Sequence, residues 1–333
     1  MPTVSVIMTV YNAERHLAEA IEGVLAQTFG DWELIIINDG STDRSPEIAR
    51  GFNDLRIRVE DYPNRGQPIS RNTAASISQG EYLAICDSDD VWRPGKLERQ
   101  VLYLRQHPEV GLVGVQRVAQ ITEDGEPIAV GVLPTEDEEL RRMLWSDVNP
   151  FTHSAIVLRR TVFEAIGGYN PRFLYSQDFE MILRAQEHGR LHNLEGEPLV
   201  EFRISGAGIS QGKRALQLGY KRAALRAAGL RRRGEAVDEE AILAECLPNE
   251  AAQGGKASVA SDVNFKYAKA AMLWGYPWRA TRFLWRSLRE RFRPEVVLLL
   301  LAVPMIPGPI LKWACRCIVR LRRDNMAADP SAP

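Results

Sequence analysis

Tyr82-Leu83-Ala84-Ile85-Cys86-Asp87-Ser88-Asp89-Asp90 passes from an apolar run of strand length straight into a cluster of carboxylates. A continuous apolar run of this length, without polar alternation, reads as a strand covered on both faces. Leu34–Ile37 makes the same transition into Asn38-Asp39-Gly40-Ser41-Thr42-Asp43, and Val4–Val10 is a third such run. Helical patterns lie between them. Leu17, Ile21, Val24 and Leu25 share one face of a segment from Ala13 to Gln27, with Asn12 placed as its N-cap. Pro46 and Pro94 stand where first helical turns begin, and residues 68–78 read as a further helix. Leu55–Val59 alternates like a strand. Strands alternating with helices predict an α/β fold, with a mainly parallel sheet and helices on both faces. After Val110 the pattern changes. Val110–Ile121 and Pro127–Leu133 flank Glu123-Asp124-Gly125, a hairpin signal, so the sheet is read as mixed.

Ligands of such sheets gather at the C-terminal ends of the strands, which makes the polar clusters ending each run the candidate site. Asp39 at a strand mouth can accept hydrogen bonds from a ribose hydroxyl or a base N–H. An Asx-turn capping the next helix accounts for that cluster equally well. Asp87 and Asp89, two apart on extended chain, face one point and repel unless a cation joins them. Hard oxygen ligands suit Mg²⁺ or Mn²⁺, which complete their shells with substrate phosphates. The bland reading is an acidic turn before the helix at Pro94; placement after a buried strand favours the metal. Ser176-Gln177-Asp178-Phe179-Glu180 opens a helix, where acidic residues more commonly serve the helix dipole. The functional reading of that cluster makes Asp178 a general base.

Taken in order, Val4-Ser5-Val6-Ile7-Met8-Thr9-Val10-Tyr11-Asn12, Asn38-Asp39-Gly40-Ser41-Thr42-Asp43, Asn64-Arg65-Gly66 with Ser70-Arg71-Asn72, and Asp87-Ser88-Asp89-Asp90 resemble the family 2 glycosyltransferases. Gly167-Gly168-Tyr169 and Gln177-Asp178-Phe179-Glu180 continue the resemblance, which covers about residues 3–205. It implies a GT-A nucleotide-diphospho-sugar transferase fold and an inverting, metal-dependent transfer, with a UDP-sugar as the default donor. It further implies that Asp39 binds the nucleotide base or ribose, that Arg71 lies by the base or diphosphate, and that Asp87 approaches the ribose or metal. Asp89 then ligates Mn²⁺ or Mg²⁺, and Asp178 is the catalytic base. Thr9, Tyr11 and Glu14 line the nucleotide pocket. The family's acceptor motif often reads Glu-Asp where this chain has Gln177-Asp178, which changes the charge beside the base and not the base itself. His153, at the start of the apolar stretch Ala155–Leu158, reads as a structural histidine ahead of a ligand to diphosphate or acceptor. A non-catalytic sugar-nucleotide-binding scaffold on the same fold is the alternative. A nucleotidyltransferase lacks support, because no Gly-rich, Arg/Lys-bearing loop opens the chain.

The formal net charge of −1 over 333 residues conceals two opposite halves. Residues 1–200 hold 19 Lys+Arg and 31 Asp+Glu; residues 201–333 hold 23 and 12. A composition of 45% hydrophobic and 26% charged residues is globular, and the balance excludes a uniformly basic nucleic-acid binder. Four scattered cysteines make no disulfide framework, and Cys86 reads as a buried thiol. The N-terminus does not read as a secretory signal, so a cytoplasmic protein is expected. The expected division is a catalytic domain at 1–205, a helical extension at 206–292, an apolar and basic membrane-associating segment at 293–323 and a disordered tail at 324–333. Asn249–Ser261 reads as a loop. In 206–292 Arg279, Arg282, Arg286 and Arg289 recur at helical spacing among tryptophans; a solvated face on a helix that packs its Trp, Phe and Leu residues against the catalytic body accounts for this as well as a surface meeting anionic lipid does.

Residues 296–311 carry no charge, but as a helix they reach only about 24 Å, short of a hydrocarbon core of about 30 Å. Pro304, Pro307 and Pro309 also break a helix there. Lys312, Arg316 and Arg320 then share one helical face, beside Trp313, Cys317 and Leu321. That pattern favours monotopic attachment or a re-entrant hairpin at the inner face of the cytoplasmic membrane, near a lipid-linked or envelope-glycan acceptor. The competing readings are a homo-oligomer surface and a buried apolar arm.

Overall fold

The structure, a computed structural model, describes residues 1–204, 213–247, 263–290 and 294–315. Its strands are β1 (Val4–Val10), β2 (Trp32–Asp39), β3 (Ile57–Tyr62), β4 (Tyr82–Asp87), β5 (Val91–Trp92), β6 (Val110–Val115), β7 (Arg117–Ile121), β8 (Pro127–Val132), β9 (Val157–Arg159), β10 (Arg190–Leu194) and β11 (Val200–Arg203). Seven form one sheet in the order β10-β6-β9-β4-β1-β2-β3. Its neighbours are parallel except at β9, which runs antiparallel to both β4 and β6. The mixed, mainly parallel sheet expected from the sequence is therefore present.

The register explains the continuous apolar runs. Ile7 lies opposite both Ile35 and Ile85. These three, with Ile37, Leu83, Phe179 and Ile182, build the core on one face. Val6, Met8, Leu34, Ile36, Ala84 and Cys86 build the core on the other. Covered on both sides, the central strands have no use for alternation. Paired residues of parallel strands point to the same side, so Thr9, Asp39 and Asp87 extend the Ile7/Ile37/Ile85 face at the strand ends.

Two local expectations change. The first helix begins at Leu17, after a turn, and not at Ala13. Asn12 adopts φ 51°, outside the extended range of an N-cap, and its Oδ1 accepts the Thr42 N–H at 2.8 Å. It ties two loops together and caps nothing. The chain also turns at Ser88–Asp89, and Asp90 N–H reaches back to the Asp87 carbonyl at 3.3 Å. Asp87 and Asp89 are thus not successive same-side residues of one extended strand.

By compactness the chain forms two units. The first takes Met1–Val118, Leu133–Phe202 and Ala215–Leu247, so the helices Arg214–Arg232 and Glu239–Cys246 pack on the core of the main sheet. The second takes Ala119–Val132, Arg203–Arg214 and Pro248–Pro333. There Gly125, at φ 80°, turns the hairpin expected at Glu123-Asp124-Gly125. Helices Val263–Leu273, Pro277–Glu290 and Pro294–Ala302 share a core of Ile128, Tyr267, Phe283, Leu284, Val296, Val303 and Leu311. The apolar run breaks at the 3₁₀ turn Val303–Met305, which contains Pro304. No described helix is long and apolar enough to cross a membrane. The loop Asn249–Ser261, the face residues Arg316, Cys317, Arg320 and Leu321, and the tail 324–333 fall outside the described residues.

Candidate active site

The ends of β1, β2 and β4 gather the predicted donor-side residues, each braced differently. Asp39 is 3% exposed. Its Oδ1 accepts the Arg65 N–H at 2.8 Å and its Oδ2 the Gly66 N–H at 3.0 Å. The Asn64-Arg65-Gly66 stretch is thereby pinned to the strand mouth, just before helix Gln67–Ile77. Gly40 permits this approach: at φ 77°, an added Cβ would lie 2.7 Å from Asn64 N. A carboxylate has about four lone-pair sites, so Asp39 keeps acceptor capacity beyond these two bonds.

Helix Gln67–Ile77 carries Arg71, which is 4% exposed. Its Nη2 donates to Asp87 Oδ1 at 2.9 Å, and its guanidinium lies 5.5 Å from the Tyr169 ring centre. Nη1 is buried with no hydrogen-bond partner. An unpaired buried guanidinium nitrogen beside a strand mouth suits an anionic ligand, since leaving it unmet is costly. Asp87 Oδ2 faces His153 Nδ1 at 3.4 Å, and Asp87 N–H donates to Ser154 Oγ at 3.1 Å. Burial alone would raise the Asp87 pKa, but facing His153 and Arg71 hold it well below the usual carboxylate range.

His153 Nε2 lies 2.8 Å from the Tyr169 hydroxyl. Asn72 locks that tyrosine in place: its Nδ2 donates to Tyr169 O, and its Oδ1 accepts the Tyr169 N–H, both at 2.8 Å. Gly168, at φ 73°, cannot be replaced cheaply, because an added Cβ would meet Asn72 Oδ1 at 2.6 Å. The Gly167-Gly168-Tyr169 turn is thus welded to the helix bearing Arg71. Burial raises the Tyr169 pKa, and Asp87 and Asp178 both act on the ring's hydroxyl electrostatically.

Asp178 sits in the first turn of helix Gln177–Ala185, behind Ser176 in the left-handed conformation (φ 54°). Strained non-glycine residues of this kind cluster at functional sites. Its Oδ2 accepts from Asn149 Nδ2 at 2.7 Å. The preceding Gln177 donates to Gln67 Oε1 at 2.7 Å, which ties this helix to the start of helix Gln67–Ile77.

The remaining candidates lie at the rim. Thr9 is buried opposite Asp87. Tyr11 is half exposed, and Glu14 accepts the Arg44 N–H at 3.1 Å. Asp89 is partly buried in the turn after β4. No cluster of three or more His, Cys, Asp or Glu side chains suited to a metal forms among the described residues. One or two carboxylates at a strand mouth still fit Mg²⁺ or Mn²⁺, which take the rest of their ligands from substrate phosphates and water. The bracing roles of His153, Asn72 and Asn149 show only in three dimensions. Asn72 and Tyr169 were visible as parts of motifs, whereas Asn149 carried no local signal.

Against known proteins, the sequence profile of "Glycosyl transferase family 2" matches residues 5–167. The putative glycosyltransferase EpsE of Bacillus subtilis is 33% identical over 201 residues, 58% of this chain and 70% of its own. The Escherichia coli UDP-Glc:α-D-GlcNAc-diphosphoundecaprenol β-1,3-glucosyltransferase WfgD is 40% identical over 100 residues, 29% of this chain and 39% of its own. Among solved structures, S. aureus TarS 1–349 bound to UDP-GlcNAc matches with a TM-score of 0.55 at 17% identity, covering 90% of this chain and 84% of that one. The Pyrobaculum calidifontis mannosyltransferase PcManGT, solved with GDP-Man and Mn²⁺, matches at 0.52 and 18%, covering 98% and 87%. These structural likenesses carry the fold alone, and the sequence match to EpsE carries the family: the chain is a GT-A-fold enzyme belonging to the family 2 glycosyltransferases.

Proposed function

We propose that this enzyme transfers a sugar, with inversion, from a nucleotide-diphosphate donor to a hydroxyl of a lipid-linked or cell-envelope glycan. One observation carries the reading: Arg71, buried at the strand mouth and paired with Asp87 at 2.9 Å, keeps a buried Nη1 with no hydrogen-bond partner, where a donor diphosphate would lie. Asp39 holds the base or ribose with the acceptor capacity left after its two backbone bonds. The unmet Arg71 Nη1 meets the anionic donor, and Asp87 is held ionised toward the ribose. Thr9, Tyr11 and Glu14 line the nucleotide side.

Asp89, with the donor diphosphate, would hold Mn²⁺ or Mg²⁺. When bound, such a cation neutralises charge developing on the leaving nucleotide diphosphate. An acceptor hydroxyl is a poor nucleophile at neutral pH. Asp178 takes its proton through the oxygen that Asn149 leaves unbonded, which supplies about 100- to 10,000-fold. Attack of the acceptor hydroxyl oxygen on the anomeric carbon, from the side opposite the departing nucleotide diphosphate and through an oxocarbenium-like state, inverts that centre.

WfgD, by its name, uses UDP-glucose and an acceptor on a polyprenyl diphosphate. That supports a UDP-sugar donor and a lipid-linked acceptor; work at the inner membrane face, through the C-terminal segment 293–323, belongs to the same proposal and rests on that segment's apolar and basic pattern. In this reading residues 1–205 carry the chemistry and 206–292 support it. A thermal-shift screen of UDP-, GDP- and dTDP-sugars, with and without Mn²⁺, tests it. Stabilisation by one nucleotide sugar, strengthened by the metal, is expected. No response to any of them would overturn the donor assignment.

A further inference from the structure

Of the two readings of helix Pro277–Glu290, the one that packs its tryptophans inward does not hold. Its buried positions are Ala280, Phe283, Leu284 and Ser287. Trp278 is 78% exposed and Trp285 55%. At about 100° per residue, both tryptophans fall roughly 140–160° from Phe283, on the side facing away from the core. Arg279, Arg282, Arg286 and Arg289 form a stripe along one flank of that tryptophan pair. Arg282 and Arg286 both pair with Glu126, whose turn also brings Glu123 and Asp124 near Arg286, so the uncompensated charge of this flank lies at Arg279 and Arg289, which form no ion pair among the described residues. Isolated exposed tryptophans need no explanation, but two on one helical face beside an arginine stripe form a pattern.

The following segment repeats the arrangement. Val296, Val303 and Leu311 are buried and anchor it to the same core. Leu298 and Leu301 then point outward, at 67% and 68% exposure, and Met305, Ile310 and Trp313 are exposed after them. A purely buried arm would hide these side chains, and no described helix here can cross a membrane. Apolar and aromatic groups held outward on short, anchored helices, flanked by unneutralised arginine, match the boundary between anionic headgroups and acyl chains.

We infer that the outer face of helix Pro277–Glu290, continued by the exposed side chains of 298–313, is a monotopic docking surface for an anionic bilayer. Trp278 and Trp285 enter the interface, and the arginine stripe meets lipid phosphate. The inference rests on the membrane-side placement proposed above and extends the contact upstream of residue 293, onto an amphipathic helix whose own core fixes its orientation.

The test is co-sedimentation of the full-length enzyme with vesicles of phosphatidylethanolamine and phosphatidylglycerol, against pure phosphatidylcholine vesicles. Calorimetric UDP binding is measured on the same samples. Binding to the anionic vesicles alone is expected, with loss at high salt. Trp278→Ala and Trp285→Ala each weaken it on the order of tenfold, and Arg289→Ala weakens it about fivefold. Melting temperature and UDP binding stay unchanged in all three. Equal sedimentation of the double tryptophan variant and the parent overturns the inference. So does an absence of vesicle binding in a chain that still binds UDP, or a parent dimer that the tryptophan variants convert to monomer. Loss of UDP binding in the parent itself strikes the donor reading instead and leaves the vesicle result to decide this one.

Discussion

The mouth of the main sheet and the outer face of helix Pro277–Glu290 use arginine in opposite ways. Arg71 is almost wholly buried and locked to Asp87, which is in turn held by His153 and Ser154. Arg282 and Arg286 lie half exposed and divide one carboxylate between them. The aromatic rings follow the same inversion. Tyr169 is 1% exposed and hydrogen-bonded at both its backbone and its hydroxyl, whereas Trp278 stands in solvent. A buried charge network fixes geometry and is costly to break. A surface of exposed rings and unneutralised cations adds little to folding and is free to serve binding. Mutations at the first site should therefore change folding, binding or chemistry sharply, and mutations at the second should leave the fold nearly untouched.

The largest effect is expected for Asp178→Asn. Sugar transfer falls about 100- to 10,000-fold, while donor affinity and melting temperature hold. Single-turnover assays alongside donor titration check this, and unchanged transfer would remove Asp178 from its role. Asp87→Ala leaves Arg71 buried without its ion partner and should cost about 3–5 kcal/mol in urea denaturation, together with donor binding. Because the folded Asp87 pKa lies below its unfolded value, its contribution is fully present above about pH 4. It is lost as pH falls toward the folded value, so the gap between parent and variant should narrow in acid.

Lys96 sharpens the contrast from inside the first region. It is fully buried, stacks 3.6 Å from the Trp92 ring centre and has no hydrogen-bond partner at Nζ. Burial pulls its pKa down to about 7. The unfolded chain then binds the proton more tightly between that value and about 10.4, so stability rises with pH across this window. Lys96→Met should stabilise by about 2–4 kcal/mol at pH 7, with the gain fading toward pH 10. A pH series of denaturation midpoints reads this, and a gain that grows with pH would contradict it. Gly168→Ala, strained at φ 73° and pressed against Asn72, should cost about 1–3 kcal/mol. At the other extreme, Trp278→Ala should shift stability by no more than about 0.5 kcal/mol. A large loss there would mean that the ring is packed after all, and the comparison would fail.

Much of this contrast was legible in advance on one side only. The runs Val4–Val10, Leu34–Ile37 and Tyr82–Cys86 announced buried parallel strands, because a sheet covered on both faces requires apolar residues at every position. Their polar successors marked the mouth for the same reason. The bracing was not legible. Asn72 meets Tyr169 from 97 positions away, and Asp87 meets His153 from 66 away. Sequence spacing misleads at Asp87 and Asp89, because the strand ends at Asp87 and the chain turns at Ser88–Asp89. In the tail, helical periodicity showed that tryptophan and arginine recur along one helix. It could not say whether the tryptophans face the core, since small Ala280 and Ser287 are as compatible with an inner face as indole is.

By itself the sequence determined the element order, the sheet's buried strands, the carboxylates at their mouths and the unequal halves of charge. These follow from local rules: side-chain period, turn chemistry and the solvation cost of charge. The tertiary structure alone decided which carboxylates are braced, which arginine nitrogen lacks a partner, and which face of helix Pro277–Glu290 looks outward. Those outcomes depend on contacts between residues far apart in the chain, and no local pattern encodes which neighbour will satisfy a buried polar group.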